Sequence, residues 1–268
     1  MRVDYHTHHV RCGHASGNLS DYVEAAIKAG LDEIGLSDHG PIYHLGPHPH
    51  VQPRTAMSQH ELPRYMAELL QVRDRYAGRI AVKLGVESDA ILGWDQHYRN
   101  LWGQYPLDYV IGSVHWLGDW SIFWEERPAG RSTADLYTEY LHTTQAVARS
   151  GVYDIIGHLD CIKTVGHLPD PAITPLLEET VKVLAETGVT VELNTSGWRK
   201  RSCNDCYPRA ALLERCHHWG VPVTLSSDAH HPDQVGSAFD RAVALLKDVG
   251  YREIASYTQR RRTLIPLD

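Results

Sequence analysis

The chain has 268 residues, 43% of them hydrophobic and 22% charged, enough for one sizeable core. A net charge of −7 excludes a global basic field for nucleic acid, and no uninterrupted apolar run of about 18 residues is present to span a membrane. The unusual number is 18 histidines, which packing does not explain and which suits metal binding, imidazole being the commonest metal ligand.

The start, Met1-Arg2-Val3-Asp4-Tyr5-His6, shows no charged leader followed by an apolar run. Five cysteines, an odd count, argue against a disulfide framework, so a reducing, cytoplasmic setting is expected. Cys203-x-x-Cys206 has no second pair and reads as loop thiols.

In chain order, β-rich runs alternate with helical ones. A strand at 2–5 is followed by a helix at 20–29, with Tyr22, Val23, Ala26 and Ile27 on one face. A strand at 33–37 precedes a helix opened by Ser58-x-x-Glu61, read as a capping box, and running to about Tyr76. Strands at 80–87 and 108–114 lead to a helix at 133–149, and a strand at 154–157 to one at 174–186. Strands at 189–194 and 221–226 are followed by helices at 208–219 and 235–249. Gly30, Gly78, Gly151, Gly188, Gly220 and Gly250 stand where helix ends favour glycine. Seven such units imply a parallel α/β sheet, whose closed form is a distorted seven-unit (β/α)7 TIM-like barrel; an open doubly wound sheet is the alternative. Residues 1–268 read as a single domain.

Polar residues gather at the strand ends, where barrels of this class carry their chemistry. The runs end in His6-Thr7-His8, Ser37-Asp38-His39, Glu87, His115, His158, Asn194-Thr195-Ser196 and Asp228-Ala229-His230. One histidine after a strand is usually an ordinary polar residue. Seven strand ends in agreement point to a metal cluster, and a ring from all of them favours closure over a single switch point. His6-x-His8 and Asp228-x-His230 place alternate side chains on one side. Glu87 follows an apolar strand and needs a partner if buried, which suits a carboxylate shared by two cations. Asp4 is expected to orient an imidazole from behind. Imidazole and carboxylate without thiolate suit zinc, iron or manganese.

These motifs, with Arg11-Cys12-Gly13-His14 after the first, resemble the polymerase and histidinol phosphatase (PHP) family over essentially the whole chain. Within it, Asn194-Thr195-Ser196-Gly197-Trp198-Arg199-Lys200 is similar to the histidinol-phosphate phosphatase branch. The resemblance implies three metal ions. His6, His8, Glu87 and Asp228 match the ligands of the first, Glu87, His115 and His158 those of the second, and His14, His39 and His230 those of the third. It implies hydrolysis of a small phosphorylated metabolite, histidinol phosphate, with a metal-bridging hydroxide attacking phosphorus and Glu87, Asp228 and Arg199 at the reacting centre. Arg199 matches a phosphate-binding arginine, Lys163 a cation near the phosphate, and Trp116 with the segment 41–57 is a candidate substrate wall. Nucleotides or sugar phosphates are the alternative substrates, and a non-catalytic metal-binding module the alternative role. No nucleic-acid or membrane partner is expected, and a homo-oligomer is left open. Eleven histidines, His9 among them, have no ligand role in this reading.

Overall fold

The computed structural model describes residues 1–44 and 55–267. Its elements are β1 (Val3–Asp4), α1 (Leu19–Lys28), β2 (Glu33–Leu36), α2 (Leu62–Arg75), β3 (Ala81–Leu84), β4 (Glu87–Asp89) and α3 (Asp95–Trp102). There follow β5 (Ile111–Ser113), β6 (Trp116–Leu117), β7 (Trp120–Ser121), α4 (Thr133–Ser150), β8 (Ile155–Ile156), α5 (Thr174–Thr187) and β9 (Thr190–Asn194). The chain ends with α6 (Ala210–His218), β10 (Val223–Ser226), α7 (Phe239–Val249), β11 (Glu253–Thr258) and β12 (Arg261–Pro266).

Local chemistry sets the helix ends. At α4, the Ser132 hydroxyl accepts from the Asp135 amide at 3.1 Å and the Asp135 carboxylate accepts from the Ser132 amide at 2.8 Å, a reciprocal cap. Gly151, with φ 61°, ends the helix in the left-handed conformation glycine favours. The expected box at Ser58 and Glu61 does not form. α2 starts at Leu62, and the Glu61 carboxylate accepts from Arg11 at 3.0 Å and Arg64 at 2.7 Å. α7 starts later than read, because Pro232–Gln234 forms a short 3-10 turn and Ala238 enters with φ 60°.

All pairings within the two main sheets are parallel. One sheet has the order β1-β2-β3 and the other β10-β9-β8-β5-β4. Backbone bonds also run between them: Tyr5 N–H donates to Leu225 O at 3.2 Å, His8 N–H to Ala229 O at 2.8 Å and Glu87 N–H to Ser37 O at 2.9 Å. The run read as one strand at 80–87 is divided at Gly85-Val86, so that β3 pairs with β2 and β4 with β5.

The reason lies in the interior. The Tyr109 ring stacks on Tyr5 with centroids 4.9 Å apart, and its hydroxyl donates to Tyr5 O at 2.6 Å. A Cβ on Gly35 would lie 2.1 Å from the Tyr109 oxygen, and one on Gly85 2.3 Å from its Cζ. Only glycine lets the strand backbones approach this ring. Tyr257 of β11 adds a third buried ring, 6.3 Å from Tyr5, and its amide donates to the Tyr5 hydroxyl at 3.0 Å. The three rings form a tyrosine floor under the backbone of Tyr5, the residue before His6. One hydrophobic core underlies the described residues.

The sequence reading lacks α3 and the β6–β7 and β11–β12 hairpins. α3 is polar and buries only Tyr98 and Trp102. The turn joining β11 to β12 is Gln259-Arg260, with φ 50° and 64°, so the glycine or asparagine that advertises such a turn is missing. Among the described residues, no helix is long and apolar enough to cross a membrane.

Candidate metal centre

The strand ends place eight side chains around one carboxylate. Glu87, 1% exposed at the start of β4, has both oxygens faced by imidazoles. Oε2 lies 3.2 Å from His6 Nε2, 3.6 Å from His8 Nε2 and 2.8 Å from His39 Nδ1. Oε1 lies 3.1 Å from His158 Nε2 and 3.4 Å from His115 Nε2. Asp228, after β10, approaches His8 Nε2 at 3.1 Å and His6 Nε2 at 3.9 Å. His14 and His230 face each other with Nε2 atoms 3.0 Å apart, and the His8 ring stacks between His39 and His230 at 4.1 and 4.2 Å.

Two of these residues sit on unusual backbone. His158 has φ 23° and Asp228 φ 52°, in the left-handed region that non-glycine residues avoid. Each is tied down. The His158 amide donates to Glu192 at 2.6 Å, and the Arg199 guanidinium donates through Nη2 to Ser227 O at 2.8 Å and Asp228 O at 3.1 Å. Asp228 also accepts from the Ser196 hydroxyl at 3.0 Å.

The residues behind the imidazoles fix which nitrogen faces the centre. Fully buried Glu192 lies 2.9 Å from His6 Nδ1, and Asp89 lies 2.7 Å from His115 Nδ1. With those protons on Nδ1, each Nε2 presents a lone pair toward the oxygens of Glu87. His6 Nε2, His8 Nε2 and Glu87 Oε2 are buried without a hydrogen-bond partner. Converging lone pairs of this kind are repulsive unless a cation lies among them, so the donor set fits metal ions. The tightest groupings are His6–His8–Glu87, His8–His39–His230 and His39–Glu87–His115, each with ligand atoms within 4.8 Å of one another. His39 therefore stands against Glu87 as well as near His14, whose ring is 5.1 Å away.

Without metal, protons take the cation's place. Burial works against charge on His115, yet Glu87 and Asp89 raise its pKa to about 9. The same contest, won by Glu192, Glu87 and Asp228, holds His6 well above the usual imidazole range. Burial opposes ionisation of Glu87 too, and His6, His39 and His115 still hold it well below the usual carboxylate range. His39 is pushed down to about 4, first by burial, with Glu87 opposing and His8 and His115 assisting.

A cavity of about 440 Å³ opens over this cluster, lined by His14, His39, Glu87, His115, His158 and Asp228 on its floor. Trp116, Phe123 and Tyr207 supply aromatic walls and Lys200 a cation, its Nζ 5.8 Å over Phe123 and 5.7 Å over Tyr207. Trp116 thus lines the cavity over the cluster. Arg199 lies behind Asp228, with Nη1 buried and unpartnered. Lys163 is not brought to the centre. It is 3% exposed, and its ammonium donates to Asp160 at 2.9 Å, Asp205 at 3.2 Å and Cys206 O at 2.6 Å, which leaves no proton for a phosphate. Asp4 also departs from expectation: it accepts from the amides of Ser227 at 2.9 Å and Gly236 at 3.0 Å, and the imidazole of His6 is oriented by Glu192 instead. Most of the segment 41–57, residues 45–54, lies outside the described residues; His44 packs edge-on to Trp116 at 5.6 Å. Sequence reasoning missed Glu192, Asp89 and Lys200. The signal for Glu192 was present, since it is a carboxylate inside an apolar strand, like Glu87.

The PHP domain family matches residues 4–196. The chain is 38% identical to a probable histidinol-phosphatase of Deinococcus radiodurans, over 98% of each chain. It is 29% identical to the histidinol-phosphatase of Bacillus subtilis, covering 90% of this chain and 97% of that one. A crystal structure of histidinol phosphate phosphatase from Lactococcus lactis, complexed with zinc, L-histidinol and phosphate, shares the fold with a TM-score of 0.82, at 24% identity over 98% of each chain. The strand-end cluster thus stands in a chain that belongs to the PHP domain family.

Proposed function

We propose that the protein is a metal-dependent phosphate monoester hydrolase that converts L-histidinol phosphate and water to L-histidinol and phosphate. The observation that carries the reading is the convergence of buried imidazole and carboxylate lone pairs on Glu87 beneath an aromatic-walled cavity. The names of the Deinococcus and Bacillus relatives, and the histidinol and phosphate held by the Lactococcus protein, support this substrate.

Zinc, iron or manganese would be held by His6, His8, Glu87 and Asp228, by Glu87, His115 and His158, and by His14, His39 and His230, three ions in all. Bound there, they supply a water-derived nucleophile at neutral pH and offset charge on phosphoryl oxygens. Glu192 and Asp89 keep the Nδ1 protons of His6 and His115, so that Nε2 remains a lone-pair donor. Arg199, anchored through Nη2 behind Asp228 and outside the cavity lining, keeps a buried Nη1 with no protein partner, and a phosphoryl oxygen brought to that side of Asp228 is the acceptor assigned to it. Lys200 is the cation in the cavity itself and takes the place that the sequence reading gave to Lys163. Trp116, Phe123 and Tyr207 offer faces for an imidazole ring.

We also read the two parallel sheets as parts of one distorted seven-unit barrel formed by residues 1–268 as a single domain. The backbone bonds joining Tyr5 to Leu225 and Glu87 to Ser37 support that closure. The five free thiols suit a reducing, cytoplasmic setting. The test is phosphate release by the zinc-, manganese- or iron-loaded protein from histidinol phosphate and from a panel of nucleotide and sugar monophosphates. The highest kcat/KM is expected for histidinol phosphate. A higher value for another ester overturns the substrate, and no release from any overturns the activity.

A further inference from the structure

His9 is buried beside His8, yet it faces away from the metal cluster, as adjacent residues on extended backbone must. Its surroundings form a chain of contacts. His9 Nδ1 lies 2.5 Å from Asp38 Oδ2, while the other oxygen of Asp38 lies 3.4 Å from His8 Nδ1. One carboxylate, 1% exposed, thus bridges two neighbouring imidazoles. On the far side of His9, Arg11 Nη1 donates to Nε2 at 2.8 Å. Arg11 is held in turn by Glu61 at 3.0 Å and by Glu68, on α2, at 2.7 Å.

The proton positions follow from donor chemistry. A guanidinium only donates, so His9 Nε2 must accept and the ring proton sits on Nδ1, facing Asp38. Asp38 Oδ1 accepts from the His39 amide at 3.0 Å and lies 3.4 Å from His8 Nδ1, at ion-pair distance; with its proton on Nδ1, facing that carboxylate, His8 turns the lone pair of Nε2 toward Asp228 Oδ1 at 3.1 Å and Glu87. The Asp38 amide is also fixed, donating to the Tyr65 hydroxyl at 3.1 Å.

We propose that Arg11 and His9 are positioning residues that act through Asp38 to hold His8 in the tautomer and orientation a metal ligand needs. The assignment rests on the reading of this centre as a metal site. It accounts for one histidine that the ligand set leaves out, and it joins α2 to the centre through four side chains in series.

The test is zinc affinity by chelator competition, with the visible spectrum of the cobalt(II)-loaded full-length protein as a second readout. His9→Ala should lower zinc affinity about ten- to a hundredfold, the range found when a group behind a metal ligand is removed, and should alter the cobalt spectrum. His9→Asn, whose amide can place an N–H near the Nδ1 position, should restore affinity to within about threefold by that same mechanism. Arg11→Met, at a partly exposed position, should give an intermediate loss and serves if His9→Ala does not fold. Wild-type zinc affinity and an unchanged cobalt spectrum in folded His9→Ala and Arg11→Met would overturn the proposal, as would equal losses in His9→Ala and His9→Asn. Failure of the wild-type protein to bind zinc would instead overturn the metal-site reading itself.

Discussion

Glu192→Gln replaces one oxygen by an NH2 group at nearly constant volume, and the contacts dictate which one. Glu192 Oε1 accepts from the His158 amide at 2.6 Å and the Asn194 side chain at 2.8 Å, so the amide oxygen belongs there. The new NH2 then falls at the Oε2 position, 2.9 Å from His6 Nδ1. Two donors cannot face each other, and Oε1, 3.1 Å from Nδ1, already accepts from His158 and Asn194, so the His6 proton moves to Nε2, the atom that faces Glu87 and Asp228. The centre loses a ligand without losing a residue. Metal affinity should fall about ten- to a hundredfold, or about 1.4–2.8 kcal/mol. The metal-free protein should lose at most about 1–3 kcal/mol of stability, since the bonds from the His158 amide and the Asn194 side chain survive. Chelator competition measures the first effect, thermal unfolding of the stripped protein the second, and nitrogen NMR of the histidine rings the tautomer. A variant with wild-type affinity and the His6 proton still on Nδ1 would refute the reasoning.

Stripping the metals should abolish phosphatase activity and lower Tm; at free metal about a thousandfold above Kd the bound form gains about 4 kcal/mol, visible as a metal-dependent Tm. Because His115 carries its proton up to about pH 9 in the metal-free chain, metal must displace it, so apparent affinity should rise as pH climbs from 7 toward 9 and protons should be released on binding. Calorimetry in buffers of different ionisation enthalpy checks this, and a pH-independent affinity would contradict it. Lys200→Met should raise KM for histidinol phosphate about tenfold, equivalent to about 1.4 kcal/mol, while leaving metal content unchanged. Gly85→Ala should cost about 1–3 kcal/mol by driving a methyl group into the Tyr109 ring, measurable by urea unfolding.

The parallel units and the strand-end ligands were legible because period and position carry them. An apolar run ending in His6-Thr7-His8 or Asp228-Ala229-His230 announces both a strand and what leaves it. The division of the third strand was hidden, since it follows from Tyr109, distant in sequence, pressing on Gly35 and Gly85. Lys163 and Lys200 show the same limit. Both are lysines after strand ends, and only the partners of Lys163, Asp160 and Asp205, separate an interior ammonium from one in the cavity. Asp4 was rightly seen as a polar residue with a task, but the amides of Ser227 and Gly236 come from far along the chain.

The tyrosine floor has a kinetic consequence. Tyr5, Tyr109 and Tyr257 fill the interior on the side of β11, while the cavity over the centre opens past Trp116, Phe123 and Lys200. Ester entering and phosphate leaving through this cavity meet the same cations. Inorganic phosphate should therefore inhibit competitively with substrate, and turnover should slow as product accumulates even while substrate remains abundant.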